Sequence, residues 1–310
     1  LWVPGATYDN VYIDDYCWEK IPSCEKAPAV TVLNPGIDST SLNIGWNYDT
    51  TSGASAQVSY IVAYGPTGYD PVSNPAGGDT TTSTFNFANI TGLQPLTEYC
   101  VWVKAVCANG DTSTWSGPHC GSTGCPDGIR PPYFDDFTDY LFVSGVGEQL
   151  PQCWQEAKGQ LGSSSNIAMG TSFWTYDGFG NVGFNGAGKM NVNYTNRFEW
   201  LVSPTFYLGT DVNVSHWIEF DAALTQAFST VPAANGFGYD DTVAFVVSYD
   251  KGITWKKADI LMQWDSSNAP SNTGTHIAYA LKATTGYVTF GFYGTSSVSN
   301  ENVEFFVDNF

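Results

Sequence analysis

Hydrophobic residues in this 310-residue chain alternate with polar ones or gather in short unbroken runs, and hardly ever return at the three-to-four spacing of an amphipathic helix. SLNIGW, SYIVAY, YCVWVKAV, WIEFDAAL, TVAFVVS and YVTFGFYG are such runs, each bounded by Gly, Asn, Asp, Pro or Ser. Successive side chains on a strand point to opposite faces, so this period suits strands with one face inward and predicts an all-β chain. At roughly 100–200 residues per domain, the length predicts two or three domains. Aromatic residues reach 15% and hydrophobic ones 43%, against 13% charged, which is enough to build a large core and excludes a disordered acidic tail.

The charge narrows the partners. Eleven Lys and Arg face 30 Asp and Glu, a net charge of -19, which argues against nucleic acid and against an anionic membrane surface. A divalent cation or a basic partner suits it better. No apolar run is long enough to span a bilayer, so no membrane insertion is expected. The first residues lack a basic stretch followed by an apolar one, so they do not read as a signal peptide. Seven cysteines, at positions 17, 24, 100, 107, 120, 125 and 153, form no paired CxxC array with His. They predict disulfides in an oxidising, extracellular compartment and not a zinc site.

From Cys24 to Thr123 the chain holds enough short runs for a sandwich of about 100 residues. Leu42, Ile44 and Trp46 share a parity, Tyr60, Val62 and Tyr64 follow, and then comes LQPLTEYCVWVKAV. This stretch resembles a fibronectin type III domain, with Trp46 on its second strand and Leu93, Pro95, Thr97 and Tyr99 as the LxPxTxY corner. The resemblance implies an immunoglobulin-like sandwich in which the Tyr99 hydroxyl bonds back to upstream backbone. With Asn109-Gly110 as the turn between the last two strands, positions summing to about 220 face each other, which pairs Cys100 with Cys120. Cys107 closes its strand at the pole where the first strand begins, which pairs it with Cys24.

Beyond Pro126 the texture changes to PPYFDDF, LPQCWQEA, EWLVSPTFYL, WIEFDAAL, SYDKGITW, YVTFGFYG and VEFFVDNF. The order of DDF, LPxCW, WLVSP, FDAAL, SxDxGxTW and FFVDN resembles the jelly-roll domains of the MAM and cleaved-adhesin group (choice-of-anchor J type). That group occurs beside fibronectin type III units in secreted Bacteroidota proteins, some of them exported by type IX secretion. The resemblance implies a larger jelly-roll sandwich over 125–310, with Cys125 bonded to Cys153. VYIDDY, Val11 to Tyr16, aligns with the terminal FFVDNF, Phe305 to Phe310. Residues 1–22 thus read as the closing strand of a preceding roll plus a linker, 23–124 as the fibronectin type III domain, and the repeat as 294 residues.

Calcium (Ca2+) takes oxygen ligands, often where strand ends converge. Related rolls carry it between their first and last strands, so the resemblance implies a structural calcium ion at Asp135, Asp136 and Asp308, with Asp221 as a further ligand. Edge-strand acids that deter aggregation are the plainer alternative. SYDKGITW fits the Asp box, a structural hairpin motif that carries no catalysis. Glu219 and Asp221 share a strand face as a glycosidase pair would, but no GxSxG elbow or other nucleophile and base pairing accompanies them, and no enzyme is expected. Trp174 and Tyr176, in the Gly-rich TSFWTYDGFGN, are candidates for stacking on sugars. Asp-Ser/Thr-x triplets mark Ser39, Thr50, Thr80 and Thr242 as possible O-glycosylation positions.

These readings converge on a non-catalytic repeat segment of a secreted cell-surface adhesin or filament-like protein. Its partners would be an extracellular glycan or protein surface and neighbouring repeats of the same chain. The alternative is a carbohydrate-binding accessory region of a secreted hydrolase or peptidase.

Overall fold

A computed structural model describes residues 23–49, 54–162, 167–298 and 301–310. The expected closing strand over residues 1–22, with Cys17, and the expected modification at Thr50 lie outside the described residues. The chain divides into two compact units, Leu1–Pro126 and Asp127–Phe310, and nearly all regular structure in both is β.

In the first unit, β1 (Thr31–Val32), β2 (Ser41–Gly45) and β5 (Phe87–Thr91) form one sheet in the order β1-β2-β5. A second sheet runs β4-β3-β6-β7, from β3 (Gln57–Pro66), β4 (Asp79–Ser83), β6 (Glu98–Cys107) and β7 (Ser116–Ser122). Alternation places Leu42 and Ile44 of β2 against Tyr60 and Val62 of β3 and Val101 and Val103 of β6, all buried. Trp46, the residue after β2, packs edge-on against Tyr60 with ring centroids 4.9 Å apart. The corner ahead of β6 is locked as its sequence implies: the backbone N–H of Gln94 donates to the buried Tyr99 hydroxyl at 3.0 Å.

Two disulfides staple this sandwich. Cys24 is bonded to Cys107, and Cys100 to Cys120, its direct neighbour across β6 and β7. The pairing runs from Glu98 opposite Ser122 to Val101 opposite His119, then shifts before Val103 meets Ser116. The mirror symmetry expected about Asn109-Gly110 therefore holds at the disulfide but not beyond the bulge. Cys125 and Cys153 are also disulfide-bonded.

The second unit opens with the hairpin β8 (Leu141–Val143) and β9 (Gly147–Gln149). It continues through β10 (Gln155–Lys158), β11 (Ala168–Met169), β12 (Trp174–Asp177), β13 (Ala187–Val192), β14 (Arg197–Tyr207) and β15 (Trp217–Gln226). The remaining strands are β16 (Thr242–Ser248), β17 (Ile260–Trp264), β18 (Thr275–Ala280), β19 (Tyr287–Ser296) and β20 (Val303–Asp308). A six-stranded sheet, β11-β10-β14-β19-β16-β17, faces a five-stranded one, β12-β13-β20-β15-β18. Between them the rings of Phe220, Phe245, Phe292 and Phe305 form a core, with Phe220 4.8 Å from Phe245 and 5.1 Å from Phe292.

The Asp box is the turn after β16. Asp250 accepts hydrogen bonds from the Ser248 hydroxyl and from the backbone and hydroxyl of Thr254, and Gly252 donates to Ser248 Oγ from a left-handed φ of 79°. Only a residue without Cβ adopts that conformation freely. Trp255 then packs on Trp200 at 4.9 Å, covering the outer face of the six-stranded sheet.

Half of the five-stranded sheet's outer face is also covered. Phe179 packs over Ala187, Ala223 and Phe306. Beneath it Lys189 pairs with Asp177 and with Glu304, whose side chain is 1% exposed. Glu304 also accepts from Asn181 Nδ2 and the Phe228 backbone. Burial alone would lower the Lys189 pKa, but the hydrogen bond to Asp177 and the charge of Glu304 outweigh it and raise it.

Candidate functional site

The other half of that face is open. On β15, Ile218, Phe220 and Ala222 turn inward while Trp217, Glu219 and Asp221 turn outward. Their partners on β18 are Ala280, Ala278 and His276, so short alanine side chains flank Trp217 and Glu219 and leave them standing clear. On its other side Asp221 lies opposite Asp308 of β20. Just after β20 the chain pairs with the start of the unit: Asp135 N–H donates to the Phe310 carbonyl at 2.8 Å, and Phe310 N–H to the Asp135 carbonyl at 2.9 Å.

The fold thereby draws Asp135, Asp136, Asp221 and Asp308 to one end of the sheet, each already engaged. Asp135 accepts from the Tyr133 hydroxyl, Trp154 Nε1 and the Phe137 backbone. Asp136 accepts from the backbone and hydroxyl of Thr138. Asp221 receives His276 Nδ1 and Asn309 Nδ2, each at 2.9 Å, and Asp308 accepts from the Asn309 backbone. Among the described residues no three His, Cys, Asp or Glu side chains are gathered tightly enough to hold a metal ion.

Asp308 carries the strain of this arrangement. Burial pushes its carboxyl up to about 6; the Asn309 backbone N–H offsets part of that, and the charges of Asp221, Asp136 and Asp135 add to it. Its pKa when unfolded is about 3.9. The folded state therefore binds this proton more tightly, and its stability from this group is greatest below pH 4 and declines as pH rises through 6. Asp308→Asn, in chelator, should raise the melting temperature at pH 7 by about 2–4 °C, equivalent to about 1 kcal/mol after discounting for solvent screening. At pH 3, below the unfolded pKa, the gain should nearly vanish. Equal shifts at both pH values by calorimetry would show that the carboxylate charge is not the cause.

Beside the acidic row opens a cleft of about 800 Å³. Its floor is apolar, from Phe206, Leu208 and Phe290, and its polar lining includes His216, Glu219, His276 and Asn309. Two lining aromatics are exposed, Phe134 at 67% and Trp217 at 65%. The parity of WIEFDAAL, which puts Glu219 and Asp221 on one face, puts Trp217 there too. Nothing in the sequence brings Phe134 and His216 to the same place.

Of the two aromatics expected to stack on sugars, Trp174 is not available to do so. Trp174 is 1% exposed, packed toward Phe292 and Phe305, because its strand parity sends it into the core. Tyr176 is half-buried beside Tyr140. Among the O-glycosylation positions, Thr80 is exposed on the edge strand β4 and Ser39 is half-buried. Thr242 is half-buried in the ladder opposite Thr295 and follows the buried Asp241.

Residues 27–121 match the family model of the fibronectin type III domain. Among solved structures, the fn3 domain of the human collagen alpha-1(XX) chain is 23% identical, covers 36% of this chain and 96% of its own, and has a TM-score of 0.27. The fn3 domain of human contactin 1 is 17% identical over 40% of this chain and 97% of its own, with a TM-score of 0.28. The FN5 domain of Drosophila Lar is 19% identical over 33% and 99%, with a TM-score of 0.24. No curated protein matches the chain.

Proposed function

We propose that this chain is a non-catalytic segment of a secreted, cell-surface adhesin or filament-like protein of Bacteroidota. In it fibronectin type III units alternate with MAM/cleaved-adhesin-like jelly rolls, stiffened by disulfides and calcium. The observation that carries the reading is a fibronectin type III sandwich stapled by two disulfides and followed in the chain by a second, larger β-sandwich. Such staples belong to oxidising compartments. Catalysis by the Glu219 and Asp221 pair is disfavoured, because Asp221 is tied to both His276 and Asn309. The open reading frame on either side tests the reading. Further copies of the 294-residue unit support it, and an adjoining catalytic domain would replace it with the carbohydrate-binding accessory region, which the exposed Trp217 and Phe134 favour.

The four carboxylates fit calcium in donor type, and the like charges around Asp308 are what a cation would relieve. Asp308, Asp221 and Asp136, with Asp135, would hold it once Asp221 exchanged its His276 and Asn309 contacts for the ion. Calcium at a hundredfold its Kd should add about 2.7 kcal/mol, raising the melting temperature of the second unit by about 5–10 °C. Asp308→Asn should abolish that rise. Identical calorimetric traces with calcium and with chelator would overturn the calcium site and leave the non-catalytic reading standing.

A further inference from the structure

The described residues lining the cleft include one carboxylate, Glu219, and no Lys or Arg. Glu219 is an exposed carboxylate. His276 Nδ1 is held by the Asp221 carboxylate at 2.9 Å. His216 Nε2 is buried with no hydrogen-bond partner. The side-chain amide of Asn309, the obvious donor, is given to Asp221. A guanidinium has five N–H donors and no acceptor, lies flat on aromatic faces and matches a carboxylate with two parallel bonds.

Two further features point the same way. Trp217 and Glu219 stand two residues apart on one face of β15, offering a ring and a carboxylate to the same planar cation. The neighbouring row of carboxylates and the net charge of -19 make the surroundings attractive to positive charge. The apolar floor accepts an aliphatic side chain adjacent to that cation.

We propose that the cleft is a binding site for an arginine-bearing segment of a partner protein. The guanidinium stacks on Trp217 and pairs with Glu219, and a neighbouring apolar side chain enters toward Phe206 and Leu208. This names the partner of the adhesive segment proposed above and rests on that reading.

The test is isothermal titration of the full chain, in chelator, with acetyl-Leu-Arg-Leu-amide, with the same peptide carrying citrulline for arginine, and with chitotetraose. The arginine peptide should bind saturably, and the uncharged but isosteric citrulline peptide about tenfold more weakly or worse. Glu219→Gln and Trp217→Ala should each weaken the arginine peptide by about tenfold, while their melting temperatures stay close to the parent's, since both side chains are exposed. Glu219→Gln removes one carboxylate among 30 acidic residues, so general attraction to an acidic protein would survive it and a specific pairing would not. Equal binding of the two peptides, unchanged affinity in both variants, binding of chitotetraose alone, or no binding at millimolar peptide would each overturn the site. Any of these with further repeats in the flanking reading frame would sink the cleft and spare the adhesin reading.

Discussion

Replacing Cys24 and Cys107 together by alanine should cost the first unit about 4 kcal/mol, a fall in its melting temperature on the order of 20 °C. The bond joins residues 83 apart, so opening it releases most of the unit's chain in the unfolded state. Both cysteines are buried in the core, and the alanines add a packing defect to the lost cross-link. The Cys100 and Cys120 pair closes a span of only 20 residues, and its double alanine variant should lose about 3 kcal/mol. Calorimetry of the full chain reads both. If the shorter staple proved the costlier, loop closure would not be what the two bonds contribute.

Lys189→Met should be the most damaging single change in the second unit, at about 3–5 kcal/mol or roughly 10 °C. The variant keeps the length and apolar stem of the side chain but removes the one cation that Glu304 and Asp177 share in the covered half of the sheet face. Breaking a buried pair costs more than the pair is worth, because the surviving charge stays buried without its partner. Adding Glu304→Gln should therefore recover part of the loss, and a double-mutant cycle measures how much. Strictly additive losses would mean that Lys189 acts through packing alone.

Parity made much of this fold legible. Leu42 and Ile44, the Tyr99 corner, the Asp box and the outward row of Glu219 and Asp221 all follow from strand alternation or turn chemistry, which are local. The cysteine pairs followed from a turn and a pole, and the bulge between Val101 and Val103 did not disturb them, because it lies beyond Cys100. Trp174 misled because a Gly-rich, aromatic stretch reads as a loop, whereas residues 174–177 form β12, whose parity turns that ring inward. The cleft was the least legible part. Phe134, Trp217 and His276 come from three distant segments, and only the pairing of β15 with β18, together with the return of the chain end to Asp135, brings them together.

That β20, the last strand of its unit, lies in the middle of the five-stranded sheet has a bearing on how this protein is made. Gly188 of β13 pairs with Val307, and Ala222 of β15 pairs with the same residue from the other side. Until those final residues are available, the sheet is two separate strand pairs, β12 with β13 and β15 with β18, with nothing to join them. Contacts so distant in sequence form late, after the entropy of closing long loops has been met. A chain emerging N-terminus first from a ribosome or a translocation pore would keep this roll open until β20 had passed. The order of synthesis thereby makes closure of the five-stranded sheet the last step in assembling the unit.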